Sequence, residues 1–144
     1  MTPTQEQLLA RIAPHEVAFW RTLGVEVVEA GEGMARLRIP ARPELETRRP
    51  DTLHGGVLAS LIDAAGSAAL LTTRAEDDET WAGFASTDLN VSYLAAATSD
   101  VVAEARVLRG GRRVVYTIVE VTDAGGVVVA VGRVTYMIAR RQQS

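Results

Sequence analysis

Gly55-Gly56-Val57-Leu58-Ala59-Ser60-Leu61-Ile62-Asp63-Ala64-Ala65-Gly66-Ser67-Ala68-Ala69-Leu70-Leu71-Thr72-Thr73 is the stretch that decides the fold. At 100° per residue, Val57, Leu58, Leu61, Ile62, Ala65, Ala68 and Ala69 share one broad apolar face. That spacing predicts a helix over about 55–73, laid on a sheet. The apolar run Gly55–Leu71 is short for a membrane span and carries Asp63, so it reads as a core helix. The opposite face holds Gly56, Ala59, Ser60, Asp63, Gly66, Ser67 and Leu70. Most of these are small, which permits close approach by a backbone or a ligand.

The residues downstream change period. From Trp81 to Ala95, Leu89, Val91 and Tyr93 alternate with Asp88, Asn90 and Ser92, the pattern of a strand. Three more strands, rich in Val, Tyr and Thr, are expected at 101–108, 112–122 and 127–138. Gly110-Gly111 and Asp123-Ala124-Gly125-Gly126 supply hairpin turns between them. Upstream, Val25–Ala30 and Met34–Ile39 form a hairpin about Gly31-Glu32-Gly33. Residues 5–23 read as helix, divided by Pro14 and ended by Gly24. Pro40–Pro50 is polar, with three prolines, and reads as a surface loop. One apolar helix against antiparallel strands is α+β.

Composition narrows the chemistry. The chain has 144 residues and 47% hydrophobic content, enough for one self-sufficient domain. It has no cysteine, which removes disulfides, thiolate metal sites and Cys nucleophiles. Two histidines, His15 and His54, leave little for a metal centre, so no cofactor is expected. Every basic residue is Arg, which excludes Schiff-base and Walker-type lysines. The net charge of −3 argues against nucleic-acid binding. The first residues lack a basic and an apolar region of the signal-peptide kind, so a cytoplasmic protein without membrane attachment is expected.

Asp63 is the sole ionisable residue of the central helix. Two readings stand at this point. The stripe faces water and Asp63 solvates it, or the carboxylate sits in a cleft as base or nucleophile. His54-Gly55-Gly56 opens the helix, where free N–H groups and the helix dipole favour an oxyanion or a carbonyl oxygen.

Leu53 through Asp63 resembles the active-site segment of hotdog-fold acyl-CoA thioesterases, above all the PaaI-type (phenylacetate-degradation) branch. In that family a His-Gly-Gly precedes a carboxylate by nine positions, as His54 precedes Asp63. Ser86-Thr87-Asp88-Leu89-Asn90-Val91-Ser92-Tyr93-Leu94 and Val107-Leu108-Arg109-Gly110-Gly111-Arg112 also agree, and the order of elements matches over about 24–138. The resemblance implies a hotdog fold: a long helix wrapped by an antiparallel sheet, one domain over 1–144 with a helical extension at 1–23 and a core at 24–139. It implies an acyl-CoA substrate hydrolysed to free acid and CoA. Asp63 then attacks the thioester or activates water, and the Gly55 N–H binds the thioester oxygen. His54 orients its neighbours and Ser86 positions the water.

Thr87 rivals Ser86, since it shares parity with Leu89, Val91 and Tyr93. Gly56 and Ser67 line the cleft as substrate-binding residues. Where relatives carry an Asn six positions before the motif histidine, this chain has Arg48, a donor to a carbonyl or a phosphate. Arg109, Arg112 and Arg113 flank the Gly110-Gly111 turn and suit CoA phosphates. A non-catalytic acyl-CoA-binding module is the alternative, and a hotdog dehydratase a third reading that lacks its His–Asp pair. Gly55 and Asp63 lie eight residues apart, about 12 Å along a helix, whereas one substrate needs both groups within about 7 Å. Two antiparallel helices related by a two-fold axis meet that demand. A homodimer with composite sites is therefore expected, and it suits pairing into a tetramer.

Overall fold

The computed structural model describes residues 1–142. Helix α1 (Gln5–Ile12), a 3-10 turn (Pro14–Glu16) and helix α2 (Ala18–Leu23) precede strands β1 (Glu26–Gly31) and β2 (Met34–Ile39). A loop with a second 3-10 turn (Pro43–Leu45) leads to helix α3 (Gly55–Thr72). Strands β3 (Trp81–Tyr93), β4 (Val101–Gly110), β5 (Val114–Asp123) and β6 (Val128–Arg140) follow. All six strands form one antiparallel sheet in the order β1-β2-β4-β5-β6-β3. The expected hairpin and later strands are thus a single layer, coiled around α3.

Period-two alternation places Ala35, Leu37 and Ile39 of β2, Ala103 and Ala105 of β4, and Val119 and Val121 of β5 inside, all fully buried. They meet Val57, Leu58, Leu61, Ile62, Ala65, Ala68 and Ala69, each buried as its spacing predicts. Alanine on β4 and α3 lets helix and sheet approach closely. α3 is long and apolar enough by composition to cross a membrane, but it is the core helix of this sheet.

The helix is covered on more than one side. Leu8 and Ile12 of α1 are buried beside it. The Arg11 guanidinium donates to the Thr72 carbonyl at 2.7 Å, and Gln5 bonds the backbone of Ala30. This cover corrects the outward stripe read from the sequence. Gly66, Ser67 and Leu70 are buried, and only Gly56, Ala59, Ser60 and Asp63 remain partly open. Gly66 faces the sheet itself. A Cβ there would lie 2.4 Å from the Tyr136 hydroxyl and 2.9 Å from Thr117 Oγ1.

Past α3, Asp78 accepts hydrogen bonds from the Thr80 hydroxyl and N–H and from the Arg140 guanidinium. Two guanidinium groups lie over the Trp81 ring, Arg74 at 5.1 Å and Arg140 at 5.6 Å from its centre. Trp81 meets Phe84 at 6.0 Å, and Phe84 meets Tyr136 edge-on at 5.8 Å. An aromatic row thus runs from this clasp into the centre of the sheet.

Two expectations follow. Gly66→Ala gains up to about 1 kcal/mol of helix propensity and loses about 1–3 kcal/mol to overpacking against a rigid, buried Tyr136. The net is a loss of about 1 kcal/mol in urea unfolding; a stabilised variant would show that position 66 faces open space. The hydroxyl of Thr80 and the Arg140 guanidinium hold the Asp78 carboxyl down, at about 2. Its contribution is complete above the ordinary carboxylate range near pH 4 and fades as pH falls through about 2. Acid-unfolding curves of Asp78→Asn should be flatter than wild type in that window.

Candidate active site

The start of α3 is built from its own cap. His54 holds extended backbone (φ −61°, ψ 137°), and its Nδ1 accepts the Gly56 N–H at 2.8 Å. That bond leaves the proton of the neutral ring on Nε2. The Gly56 N–H is consumed here and has none left for a ligand. The Gly55 N–H, one position earlier, has no acceptor among the described residues. It is an orphan donor at the positive end of an 18-residue helix. The Tyr93 hydroxyl donates to the Gly55 carbonyl at 2.8 Å, and its ring lies against Gly55, where a Cβ would come within 3.2 Å.

Two turns on, Asp63 is half-buried. Its Oδ1 accepts from Ser86 Oγ at 3.0 Å and from the Tyr136 hydroxyl at 3.2 Å. Tyr136 also donates to the Asp63 carbonyl at 2.7 Å. Burial, then the charge and hydrogen bond of Asp63, push the Tyr136 phenol well above its ordinary range, so it stays a donor. Oδ2 has no partner among the described residues and is the free edge of the carboxylate.

Ser86 reaches Asp63 because β3 is bulged. Ser86 pairs with Tyr136 and Asp88 with Thr135, leaving Thr87 as the extra residue. Before the bulge the even positions, Phe84 and Ser86, face the helix; after it the odd ones, Val91 and Tyr93, do so. Parity carried back from Tyr93 therefore pointed to Thr87 wrongly. Its hydroxyl donates to the Thr135 carbonyl at 3.2 Å, away from Asp63.

Asp63, Ser86 and Ser67 line one cavity of about 370 Å³ with residues of the N-terminal helices. The remaining predicted residues do not converge there. Arg48 is exposed in the turn between Glu46 and Leu53, without a hydrogen bond or ion pair among the described residues. Arg109, Arg112 and Arg113 are exposed at the β4–β5 hairpin, beyond the other end of α3. Tyr136 escaped the sequence reading. Its signal was an aromatic in the inward row Val134-Tyr136-Ile138 opposite a helix glycine, visible once the register is known.

Among the described residues, β3 pairs with β6 on one side only. Its other edge is open along a 13-residue strand, and Leu89, Tyr93 and Leu94 beside it are exposed.

The Thioesterase superfamily family model matches residues 51–130, from the loop before His54 into β6. A Halobacterium salinarum protein named as an esterase is 40% identical over 126 residues, 82% of each chain. Human acyl-coenzyme A thioesterase 13 is 36% identical over 121 residues, 81% of this chain and 82% of that one. The structure of the E. coli PaaI protein from the phenylacetic acid degradation operon shares the fold at 19% identity. Its TM-score is 0.78, covering 94% of this chain and 92% of that one. With more than half of its length matched by the model and relatives this similar across four-fifths of it, the chain belongs to the thioesterase superfamily, with the hotdog fold.

Proposed function

We propose that the protein hydrolyses an acyl-CoA thioester in a site shared by two copies of the chain. The observation that carries this reading is Asp63, the one charge on α3. It is oriented by two hydroxyls, with Oδ2 free among the described residues and beside a cavity. Oδ2 takes a proton from water, and the resulting hydroxide adds to the thioester carbon. Alternatively Oδ2 adds itself, and water then opens the anhydride. In both routes charge builds on the carbonyl oxygen, which the Gly55 N–H stabilises. The C–S bond breaks, and CoA leaves as a thiolate, a good leaving group. The acyl-coenzyme A substrate of the human relative's name supports CoA as the carrier. Arg109, Arg112 and Arg113, free of ion-pair partners among the described residues, suit its phosphates.

Gly55 and Asp63 of one chain are about 12 Å apart along α3, too far to serve one thioester. A two-fold axis near the open part of α3, Gly56 to Asp63, brings the start of one helix to the middle of the other. The same operation pairs the open edge of β3 with its copy, so the two demands share one solution. The exposed outer face of the sheet, with Tyr116, Ile118 and Met137, suits pairing of dimers into a tetramer.

Asp63→Asn should keep the fold and cut turnover by about a hundredfold or more, the scale of a lost base. Tyr136→Phe should keep its packing and lower kcat by about tenfold, through a misplaced carboxylate. CoA release with wild-type rates in both variants would remove this centre from the reaction.

Complementation tests the shared site. Gly55→Pro removes the donor at a position where helices accept proline, and the exposed Tyr93 ring can move aside. Mixed with Asp63→Ala chains under subunit exchange, half of the dimers hold one intact site. Activity should return to about a quarter of wild type. Confirmed heterodimers without recovery, or a fully active monomer, would overturn the composite site.

A further inference from the structure

We infer that the cavity beside Asp63 is the acyl chamber and that its far end, lined by hydrated charges, sets the length of acyl chain accepted. This rests on the hydrolase reading above and adds the substrate class. Asp63, Ser67 and Leu71 lie at positions i, i+4 and i+8, one face of α3, and all three line the cavity. It therefore runs along the helix from the carboxylate toward the helix C-terminus. Hydroxyls of Ser67 and Ser86 stand at the reactive end.

The middle is apolar. Ile12, Val17 and Trp20 of the N-terminal segment close it from above, and Phe84 forms a wall. The far end changes character. Arg11, Glu16 and Arg74 line it there, with Glu16 exposed, where it opens onto a neighbouring polar cleft. Two of them are held in place: Arg11 donates to the Thr72 carbonyl at 2.7 Å, and Arg74 lies over Trp81. An apolar tail reaching this end would strip water from three charged groups, which hydrocarbon cannot replace. The acid beside the two guanidiniums also makes it a poor receptor for an anionic tail. It acts as a stop.

Geometry sets the limit. From Asp63 to Leu71 is about 12 Å along the helix axis. An extended chain advances about 1.2 Å per bond, a third of the extended residue repeat. The stop thus meets a straight acyl chain at about eight to ten carbons. The volume, about 370 Å³, is ample for such a chain, since a cavity of about 150 Å³ already admits benzene. The roof lies outside residues 51–130, so chain selection is built largely from a segment that the family model does not match.

The test is kcat/KM by CoA release for straight-chain acyl-CoAs from butyryl to palmitoyl. Wild type should peak near octanoyl or decanoyl. Arg74→Leu should raise the ratio of myristoyl- to octanoyl-CoA at least about tenfold, the scale of two more buried methylenes. Val17→Trp, which fills the chamber from the roof, should move the peak to shorter chains. The two variants act in opposite directions and on different elements, so poor folding of one leaves the other decisive. Profiles parallel to wild type in a folded variant overturn the chamber, as does an even loss on every substrate with Arg74→Leu, the mark of a CoA contact. A wild-type protein that cleaves no acyl-CoA sinks the hydrolase reading itself.

Discussion

A carboxylate on an otherwise hydrophobic helix has to be satisfied where it stands, and the centre of this molecule is arranged around that requirement. α3 must be apolar to fit inside a coiled sheet, so Asp63 has no charged neighbour on its own element. It is met instead by hydroxyls from two strands, Ser86 of β3 and Tyr136 of β6. A hydrogen bond to a charged group contributes about 1.5–3 kcal/mol, so two of them offset much of the cost of partial burial. They do so without neutralising the charge, as an arginine would. Room for the phenol comes from Gly66, whose missing Cβ is the space that the Tyr136 hydroxyl occupies. A glycine, a tyrosine and an aspartate on separate turns and strands thus form one unit.

That unit explains which parts of the sequence were legible. The α3 pattern, the six strands and their turns follow from hydrophobic periods of 3.6 and 2, and the structure has them within a few residues. Asp63 stood out because a lone charge breaks such a period. The errors came where a local pattern meets a non-local partner. The bulge at Thr87 inverts strand parity, and nothing in residues 81–93 alone marks it. Gly66, Ser67 and Leu70 read as an open face because period says nothing of what covers it, the sheet at Gly66 and the N-terminal segment beside Ser67. Tyr136 is an ordinary strand residue until the register sets it opposite Gly66. The exposed arginines remain a composition signal, with no side-chain hydrogen bond or ion pair among the described residues.

The N-terminal helices follow a different logic from the core. α1 has eight residues and α2 six, lengths at which a helix does not persist alone in water. Each depends on anchors. Thr4 and Gln7 form a capping box at the start of α1, and Gln5 and Arg11 tie it to β1 and to the end of α3. Leu8, Ile12, Trp20 and Leu23 supply its buried contacts. The segment is a cover added to a sheet and helix that already hold the chemical groups.

This separation has a physical consequence for how such a fold can change. Asp63, Ser86 and Tyr136 are locked to one another through the sheet register, where a shift of one residue turns a strand's side chains to the other face. Alteration there costs the hydrogen bonds that orient the carboxylate. The cover touches Asp63 only through the cavity and shares no hydrogen bond with it. Side chains at positions 12, 17 and 20 can alter size with an effect on the volume beside the carboxylate and little on its orientation. The open N–H of Gly55 and the open edge of β3 lie apart from that cover, at the other end of α3 and along its partner strand. In the proposed reading, acyl selection, carbonyl polarisation and subunit contact therefore fall on three separate places, the N-terminal cover, the start of α3 and the edge of β3, and each can vary with limited effect on the other two.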